Sequence, residues 1–283
     1  MRIALIANER SGGGLDREKL AELLGRHGAE VRSCGCEPSN FDGVTEWAPE
    51  RIVAAGGDGT IGPVAELAGR LGVPLGVVAT GTANDFAAFN ELPTEVELAC
   101  ALAATGTELR PMELGRLADG RAFVNVASAG LASAAARHAA SLKKVLGPLA
   151  YPLGALRAAV TDDPLRCTVR AGSREVFNGE AWQVMTSVTG AFGGGSEVGA
   201  ADPDDGVLDA TVLPAGSRLG LARRAWGLRR GSIADQGDVV HARGAVIEVD
   251  LPPGAEFNVD GEVRDDGMQR ITVEHRAFEL VVG

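Results

Sequence analysis

The sequence predicts an α/β domain followed by a β-rich domain, and three observations support that prediction. Residues 1–113 alternate unbroken apolar strands with helical apolar stripes, as in a parallel sheet that is covered on both faces. After Pro111 the chain changes to short segments rich in Val, Phe, Thr and Trp that are separated by turn residues, as in an antiparallel sandwich or barrel. A length of 283 residues with 45% apolar residues is enough for two cores. A ligand site is expected in the cleft between the domains, at the carboxyl ends of the parallel strands.

In the first domain, the apolar spacing predicts four strands and three helices. The helices are expected at the stripe of Leu20, Leu23 and Leu24, over Val64–Leu71, and from a Thr94–Glu97 capping box through Ala104. The predicted strands are Arg2–Ala7, Glu30–Ser33, Ile52–Ala55 and Leu75–Val78.

In the second domain, short strands are interrupted by two helical segments, at roughly 132–160 and 218–230. The predicted strands are Ala122–Val126, Leu165–Arg170, Ala181–Thr189, Leu208–Leu213, Ala245–Val249, Arg270–Glu274 and Phe278–Val282.

Composition excludes several classes of function. The formal net charge of −11 argues against general nucleic-acid binding, because neutralising phosphates needs a basic surface. No apolar run approaches the roughly 18–20 residues of a membrane span, and the apolar part of the N-terminus is too short for a secretory signal. The four cysteines form no complete zinc motif, so free thiols in a reducing cytoplasm are the expectation.

Three glycine-containing turns follow three of the predicted parallel strands, where the cleft should lie. They are Asn8–Gly14, Gly56–Thr60 and Gly81–Phe86. Glycines between a strand and a helix let backbone N–H groups approach a phosphate, and the helix dipole favours its negative charge. Asp58 in the second turn would repel phosphate unless a cation lies between them. The three turns therefore point to one ligand with several phosphates and a divalent metal, the alternative being glycines that only close strand–helix turns.

Two acidic turns lie in the second domain. The clustered carboxylates and carbonyls of Asp202–Asp209, which follow Gly193–Gly195, suit a hard cation with oxygen ligands, and a solvated acidic turn is the alternative. In the second turn, a glycine separates the carboxylates of Asp260 and Glu262. One carboxylate could take a hydroxyl proton while the other binds metal or orients its neighbour, and an ordinary hairpin turn is the alternative.

Taken in chain order, these motifs resemble those of the bacterial diacylglycerol kinase family, soluble lipid kinases that share their catalytic domain with sphingosine and ceramide kinases. The resemblance implies a Rossmann-like α/β domain over 1–113, a lipid-binding β-sandwich over 114–283, and ATP bound between them. It leaves open whether the last strand returns to the first domain. The matching segments are Gly56–Thr60, Gly81–Phe86, Phe123–Gly130, Gly193–Gly195, Asp204–Asp209 and Val259–Glu262.

The resemblance also implies roles for individual residues. Glu262 corresponds to the proton acceptor, with Asp260 as its neighbour, and Asp58 would orient the nucleotide-bound Mg²⁺; the choice of base between Glu262 and Asp58 is a hypothesis. The magnesium site corresponds to Asp202, Asp205 and the carbonyl of Val207. The nucleotide-binding set corresponds to Asn8, Ser11, Gly12, Gly56, Gly57, Asp58, Gly59, Thr60, Gly81, Thr82, Asn84 and Asp85.

Two positions depart from the family pattern. Glu9 stands where Pro is usual and places a negative charge near the expected phosphates, and Gly62 stands where Asn is usual. These departures favour the hypothesis that the chain is a catalytically silent relative, which binds nucleotide or lipid and regulates a partner. NAD kinases also carry Gly-Gly-Asp-Gly, but Gly81–Phe86 and Val259–Glu262 look unlike their motifs.

The main hypothesis is an ATP- and Mg²⁺-dependent kinase that transfers the γ-phosphoryl group to a lipid alcohol. Diacylglycerol, which would give phosphatidate, is the acceptor expected first. Such an enzyme would be cytoplasmic and would contact an anionic membrane surface transiently. Arg218–Arg230, with its five arginines, leucines and Trp226, suits an interfacial helix, and an ordinary surface helix is the alternative. A homodimer through the β-rich domain is compatible with the sequence, which does not decide it.

Overall fold

The computed structural model describes residues 1–8, 16–146, 154, 157–158, 160–192, 196–197, 202–218, 220–221, 237–264 and 270–283. Its described strands form one large mixed sheet and one two-stranded ribbon. Parallel pairing is found in the first part of the chain and antiparallel pairing in the later part. This change from parallel to antiparallel pairing is the one that the sequence predicts.

The first part of the chain forms a parallel sheet between two layers of helices. The strands are β1 (Arg2–Ala7), β2 (Glu30–Gly35), β3 (Arg51–Gly56) and β4 (Leu75–Ala79), in the spatial order β2-β1-β3-β4. The helices are α1 (Arg17–Gly25), α2 (Phe41–Trp47), α3 (Asp58–Leu71), α4 (Asp85–Phe89) and α5 (Val96–Thr105).

The second part of the chain is built from antiparallel strands and one long described helix, α6 (Leu131–Leu146). The strands are β5 (Glu108–Leu117), β6 (Ala122–Phe123), β7 (Val126–Gly130), β8 (Leu165–Ala171), β9 (Arg174–Ser187), β10 (Ala191–Phe192), β11 (Ser196–Glu197), β12 (Leu208–Pro214), β13 (Val240–Gly244), β14 (Val246–Asp250), β15 (Phe257–Val259), β16 (Glu262–Arg264) and β17 (Arg270–Val282). The main path runs β16-β15-β7-β9-β8-β14-β17, and β12 pairs with β9 and β13.

The last strand, β17, joins the two parts into one sheet. Its first half pairs with β14, and Leu280 pairs with Leu75 of β4 in parallel. Over its whole length β17 also lies antiparallel to β5, from the pair Ile271 and Leu117 to the pair Val282 and Glu108. The predicted domain boundary at residue 113 falls inside β5.

Apolar side chains of the parallel sheet fill separate cores on its two faces. On one face, Leu5 and Val53 pack with the predicted stripe of α1, whose Leu20, Leu23 and Leu24 are all buried. The opposite core contains residues of β1, β3, α3, α4 and β17, including Ile6, Ile52, Val64, Phe86 and Phe278. A third core fills the β-rich part around Phe123, Val184, Phe257 and Ile271. No helix within the described residues is long and apolar enough to cross a membrane.

Two local predictions in the first part are wrong. Helix α3 begins at Asp58 rather than near Pro63, so the last three residues of the predicted Gly56–Thr60 turn are in its first helical turn. The predicted Thr94–Glu97 capping box does not form, because Glu95 is the N-cap of α5 and makes no side-chain capping bond. Both errors arise because local signals mark a helix start less reliably than packing against the sheet does.

Candidate active site

Three strand ends meet at the carboxyl edge of the parallel sheet, as the sequence predicts. The backbone N–H of Asn8 donates to the carbonyl of Ala55 at 2.9 Å, and that of Thr80 donates to the carbonyl of Gly56 at 2.9 Å. The side-chain nitrogen of Asn8 lies 3.2 Å from the hydroxyl oxygen of Thr60. Ser11 and Gly12, predicted to bind nucleotide here, lie outside the described residues.

The second and third turns touch through their glycines. A Cβ on Gly81 would lie 2.5 Å from the Cα of Gly57 and 2.7 Å from the side-chain oxygen of Asn84, closer than real Cβ atoms come. Asn84 itself has a left-handed backbone, with φ of 54°, and its side-chain nitrogen donates to the carbonyl of Gly81. These glycines are therefore required for turn-to-turn packing, whatever else they bind. Thr82 is exposed at the rim of the same turn.

Asp58 is buried at the start of α3, and both of its carboxylate oxygens accept hydrogen bonds from protein groups. The backbone N–H groups of Asp85 and Phe86 donate to it at 3.2 and 2.9 Å. The side-chain nitrogen of Asn125 donates to its Oδ1 at 3.1 Å. The carboxylate thus binds the N-terminal end of α4, where a negative charge is favoured.

Asp260 is held by the chain just before β7. The backbone N–H groups of Val124, Asn125 and Val126 donate to its carboxylate at 2.8, 3.0 and 3.1 Å. Burial raises the pKa of Asp260 to about 7; the amide donors oppose that rise and the charge of Asp58 adds to it. Asp260 also has a left-handed backbone, with φ of 46°. The three bonds to its carboxylate fix the turn that precedes Glu262.

Glu262 comes from β16 and reaches the first turn of α3. A Cβ built on Gly59 would lie 3.0 Å from the Oε1 of Glu262 and 3.4 Å from its Cγ. The exposed Glu262 therefore lies against Gly59, next in sequence to Asp58. The structure thus brings together Glu262, Asp260 and Asp58 from segments about two hundred residues apart in the sequence.

Asn125 is the residue at the centre of this arrangement, and the site prediction missed it. It is buried, and it donates to Asp58 through its side chain and to Asp260 through its backbone. In the sequence it stands within the Phe123–Gly130 segment, which carries part of the family resemblance but indicates no role for this residue. A single Asn in an apolar segment, here between β6 and β7, gives no local indication that it lies between two carboxylates.

The predicted magnesium residues lie in a turn that is already filled by hydrogen bonds and ion pairs. The side chain of Asp202 accepts from the backbone of Asp204, and that of Asp205 accepts from the backbone of Val207, each at 3.1 Å. Arg243 pairs with the other oxygen of Asp205. Within the described part of the chain, no group of three or more His, Cys, Asp or Glu residues is arranged to hold a metal. The magnesium site stays a prediction.

Glu113, which was not predicted, connects this acidic turn to the strands that join the two parts. Its Oε1 accepts from the backbone of Gly206 at 2.5 Å and lies 2.7 Å from the Nδ1 of His275. Burial raises the pKa of the Glu113 carboxyl, while the His275 and Gly206 contacts lower it. Nothing in the sequence around Glu113 marks it as buried, because its partners come from two distant segments.

Most of the predicted membrane segment lies outside the described residues, as do Gly193–Gly195. Of its residues, Arg218 is described: its guanidinium pairs with Asp163 at 3.2 Å and lies 5.1 Å from the ring centre of Trp182. Arg218 thus contacts the protein itself, and membrane contact by the rest of the segment stays a prediction.

Two family models match most of the chain. Residues 2–117 match the model described as the diacylglycerol kinase catalytic domain. Residues 125–282 match the model described as the YegS C-terminal NAD kinase beta sandwich-like domain. The resemblance drawn from the sequence motifs is confirmed.

Curated relatives cover much of the same length. A Pseudomonas aeruginosa protein named probable lipid kinase YegS-like is 33% identical over 235 residues, which are 81% of this chain and 75% of the relative. A diacylglycerol kinase of Bacillus subtilis is 28% identical over 276 residues, which are 92% of this chain and 89% of the relative.

Solved structures show the same fold. A diacylglycerol kinase from Bacillus anthracis superposes with a TM-score of 0.79 at 20% identity, covering 100% of this chain and 97% of that one. An NAD kinase from Archaeoglobus fulgidus in complex with ATP superposes with a TM-score of 0.54 at 16% identity, covering 100% and 93%. The predicted α/β domain followed by a β-sandwich is confirmed.

Proposed function

The chain belongs to the lipid kinase family that combines a diacylglycerol kinase catalytic domain with a YegS-type C-terminal domain, and we propose that it uses ATP to phosphorylate the hydroxyl group of a lipid alcohol. The observation that supports this most is the position of Glu262 against Gly59, beside Asp58. A general base must lie within reach of the acceptor hydroxyl, and the glycine turns are where phosphates would bind.

The reaction needs positioning and one proton transfer from the residues of this chain. Backbone N–H groups of the glycine turns would bind the phosphates, and Asp58 would hold the start of α4 in place beside them. Glu262 would accept the proton of the lipid hydroxyl as that oxygen attacks the γ-phosphorus. The new oxygen–phosphorus bond forms as the bond to ADP breaks, and the products are ADP and a phosphorylated lipid.

The predicted magnesium residues fit a hard cation by donor type, and they would hold Mg²⁺ if Arg243 released an oxygen of Asp205. When bound with ATP, Mg²⁺ supplies neutralisation of the phosphate charge. The Mg²⁺ that accompanies ATP is a separate expectation, and Asp58 would orient that ion, directly or through water.

Diacylglycerol is the acceptor that we propose first, with phosphatidate as product. The relative from Bacillus subtilis is named a diacylglycerol kinase, and the match to it spans 92% of this chain. A kinase acting on such an acceptor must reach a membrane surface, and the arginines of Arg218–Arg230 would favour anionic lipid.

A panel of lipid alcohols tests the proposal. Purified protein is incubated with ATP, Mg²⁺ and mixed micelles of diacylglycerol, a sphingoid base or a third lipid alcohol, and products are identified by mass spectrometry. We expect phosphatidate as the main product. ATP consumption with none of the acceptors above background would instead indicate a catalytically silent relative.

Glu262→Gln tests the assignment of the base within the same assay. We expect kcat to fall about 10²- to 10⁴-fold because the variant cannot accept a proton, while ATP affinity measured by calorimetry stays close to that of the wild type. Glu30→Gln, at an exposed position of β2, is the matched control and should keep full activity. Near-normal kcat in Glu262→Gln with intact ATP binding would show that Glu262 is not the general base.

A further inference from the structure

Thr189 is a fully buried threonine in the turn between β9 and β10, and its hydroxyl has partners on both sides. The backbone N–H of Ala191 donates to its oxygen at 3.3 Å. The hydroxyl in turn lies 2.9 Å from the side-chain oxygen of Asn125 and donates to it. Because an amide oxygen can only accept, the hydroxyl is the donor in its bond to Asn125.

Every polar group of Asn125 is bonded, and each partner comes from a different residue. Its backbone N–H donates to Asp260, and its backbone carbonyl accepts from Val188 at 2.9 Å. Its side-chain oxygen accepts from Thr189, and its side-chain nitrogen donates to Asp58 at 3.1 Å. Three other segments of the chain are therefore joined through the backbone and side chain of this one residue.

A carboxylate only accepts hydrogen bonds, so the Asn125 amide presents its nitrogen to Asp58, and the hydroxyl of Thr189 supplies the donor that the amide oxygen needs in this orientation. With the oxygen bound to Thr189, the nitrogen is turned to the carboxylate and donates to it. If the amide rotated, its oxygen would face the carboxylate oxygen of Asp58, and two acceptors would be opposed in a buried site. A rotated amide would therefore push Asp58 away from the amides of α4.

We propose that Thr189 is a positioning residue for phosphoryl transfer, which acts through Asn125 to hold Asp58 in the geometry that the reaction needs. This inference rests on the proposed function. Thr189 contacts neither Asp58 nor Glu262 in any hydrogen bond of the described residues, so its effect on the reaction is indirect.

Thr189→Val removes the hydroxyl with almost no change of shape and provides the main test. We expect kcat for lipid phosphorylation to fall about 10- to 100-fold, because small displacements of a positioned group have effects of that size. We expect the KM values for ATP and lipid to change less than about twofold, because the affected contact matters most in the transition state. Thr189→Ser, which keeps the hydroxyl, should recover most of the lost kcat.

Thr211→Val is the matched control. Thr211, like Thr189, is fully buried, but it lies in strand β12 and its hydroxyl has no hydrogen-bond partner among the described residues. The same substitution there should leave kcat unchanged. Thermal unfolding of each variant shows that it is folded before its kinetics are compared.

A second variant covers the case in which Thr189→Val does not fold. Asn125→Asp keeps the shape of the side chain and the bond from Thr189, but it places a carboxylate oxygen opposite Asp58. We expect a larger loss of kcat than in Thr189→Val. If folded Asn125→Asp kept kcat within about twofold of the wild type, the proposed positioning by this side chain would be wrong.

Three further results would overturn the inference while the wild type is active. They are wild-type kcat in Thr189→Val, equal losses in Thr189→Val and Thr211→Val, and a Thr189→Ser variant no better than Thr189→Val. A wild type that phosphorylates none of the lipid alcohols is a different failure: it refutes the proposed function, and with it the role given to Thr189.

Discussion

At the scale of single residues, the site depends on two carboxylates whose oxygens are already bound by protein donors. Asp58 accepts from two backbone amides and one side-chain amide, and Asp260 accepts from three backbone amides. Each therefore holds segments together in addition to any part in the chemistry. Glu262 is exposed, so a substrate can reach its carboxylate.

Asp58→Asn is expected to lower both stability and activity. The amide group of Asn would place its own donor against one of the three donors that now bind Asp58. We predict a loss of about 1–3 kcal/mol in the free energy of unfolding, measured with urea, because a buried donor loses its acceptor. Turnover should be abolished. Asp42→Asn, at an exposed position in α2, is the control, and equal stability of the two variants would contradict the prediction.

Asp260 should make the stability of the protein depend on pH. Its pKa is raised from an ordinary value of 3.8 to about 7, so between these values the folded state binds more protons than the unfolded state. By linkage, stability falls as pH rises from about 4 to about 7. Asp260→Asn should reduce the difference between urea midpoints at pH 5 and pH 8. An unchanged difference would show that Asp260 does not titrate in this range.

At the scale of elements, α3 is fixed by close backbone contacts that its sequence pattern does not show. A Cβ on Gly62 would lie 2.9 Å from the carbonyl oxygen of Ala122 and 3.3 Å from the Cα of Phe123. Gly62, which departs from the family's usual Asn, is thus the residue through which α3 packs against β6. The departure has a packing consequence that is separate from nucleotide binding.

Gly62→Ala should destabilise the protein by about 1–3 kcal/mol, because backbone atoms must move to admit the methyl group. Gly25→Ala is the matched control: it lies at the end of α1 with nothing within 4 Å of the added Cβ, and it should be neutral or stabilise by about 0.5–1 kcal/mol. Urea unfolding of both variants measures the difference. Equal free energies of unfolding in the two variants would mean that α3 shifts away from β6 freely.

The sequence predicted the elements whose pattern is local, and it missed those set by distant contacts. Strand β1 and the buried stripe of α1 were found in place because apolar spacing alone specifies them. The predicted domain boundary wrongly divides strand β5, because the partner that shows β5 to be one strand, β17, lies about 150 residues later in the sequence. The same reason explains the site: motifs located Asp58, Asp260 and Glu262, whereas Asn125 and Thr189 act through contacts that no spacing in the sequence indicates.

At the scale of the whole molecule, β17 completes the first domain from the far end of the chain. Phe278, Leu280 and Val282 belong to the same core as Ile6 and Ile52. Arg116 of β5 reinforces the connection, because it pairs with Glu66 of α3 at 2.9 Å and with Glu274 of β17 at 2.5 Å. The parallel sheet and its core are therefore complete only when the C-terminal strand has returned to β4.

This dependence predicts how fragments of the protein behave. Residues 1–117 alone leave β4 and β5 without their shared neighbour and remove part of the core, so this fragment should show no cooperative thermal unfolding.

Leu117 pairs with Ile271, and the strands are antiparallel, so a two-residue Asn-Gly turn can join residue 117 directly to residue 271. The joined protein, 1–117 followed by Asn-Gly and 271–283, should recover a cooperative transition measured by circular dichroism. The matched control carries Asp in place of Leu280, a fully buried position, and should not fold. Cooperative unfolding of 1–117 alone, with a midpoint equal to that of the joined protein, would show that the first domain does not need its last strand.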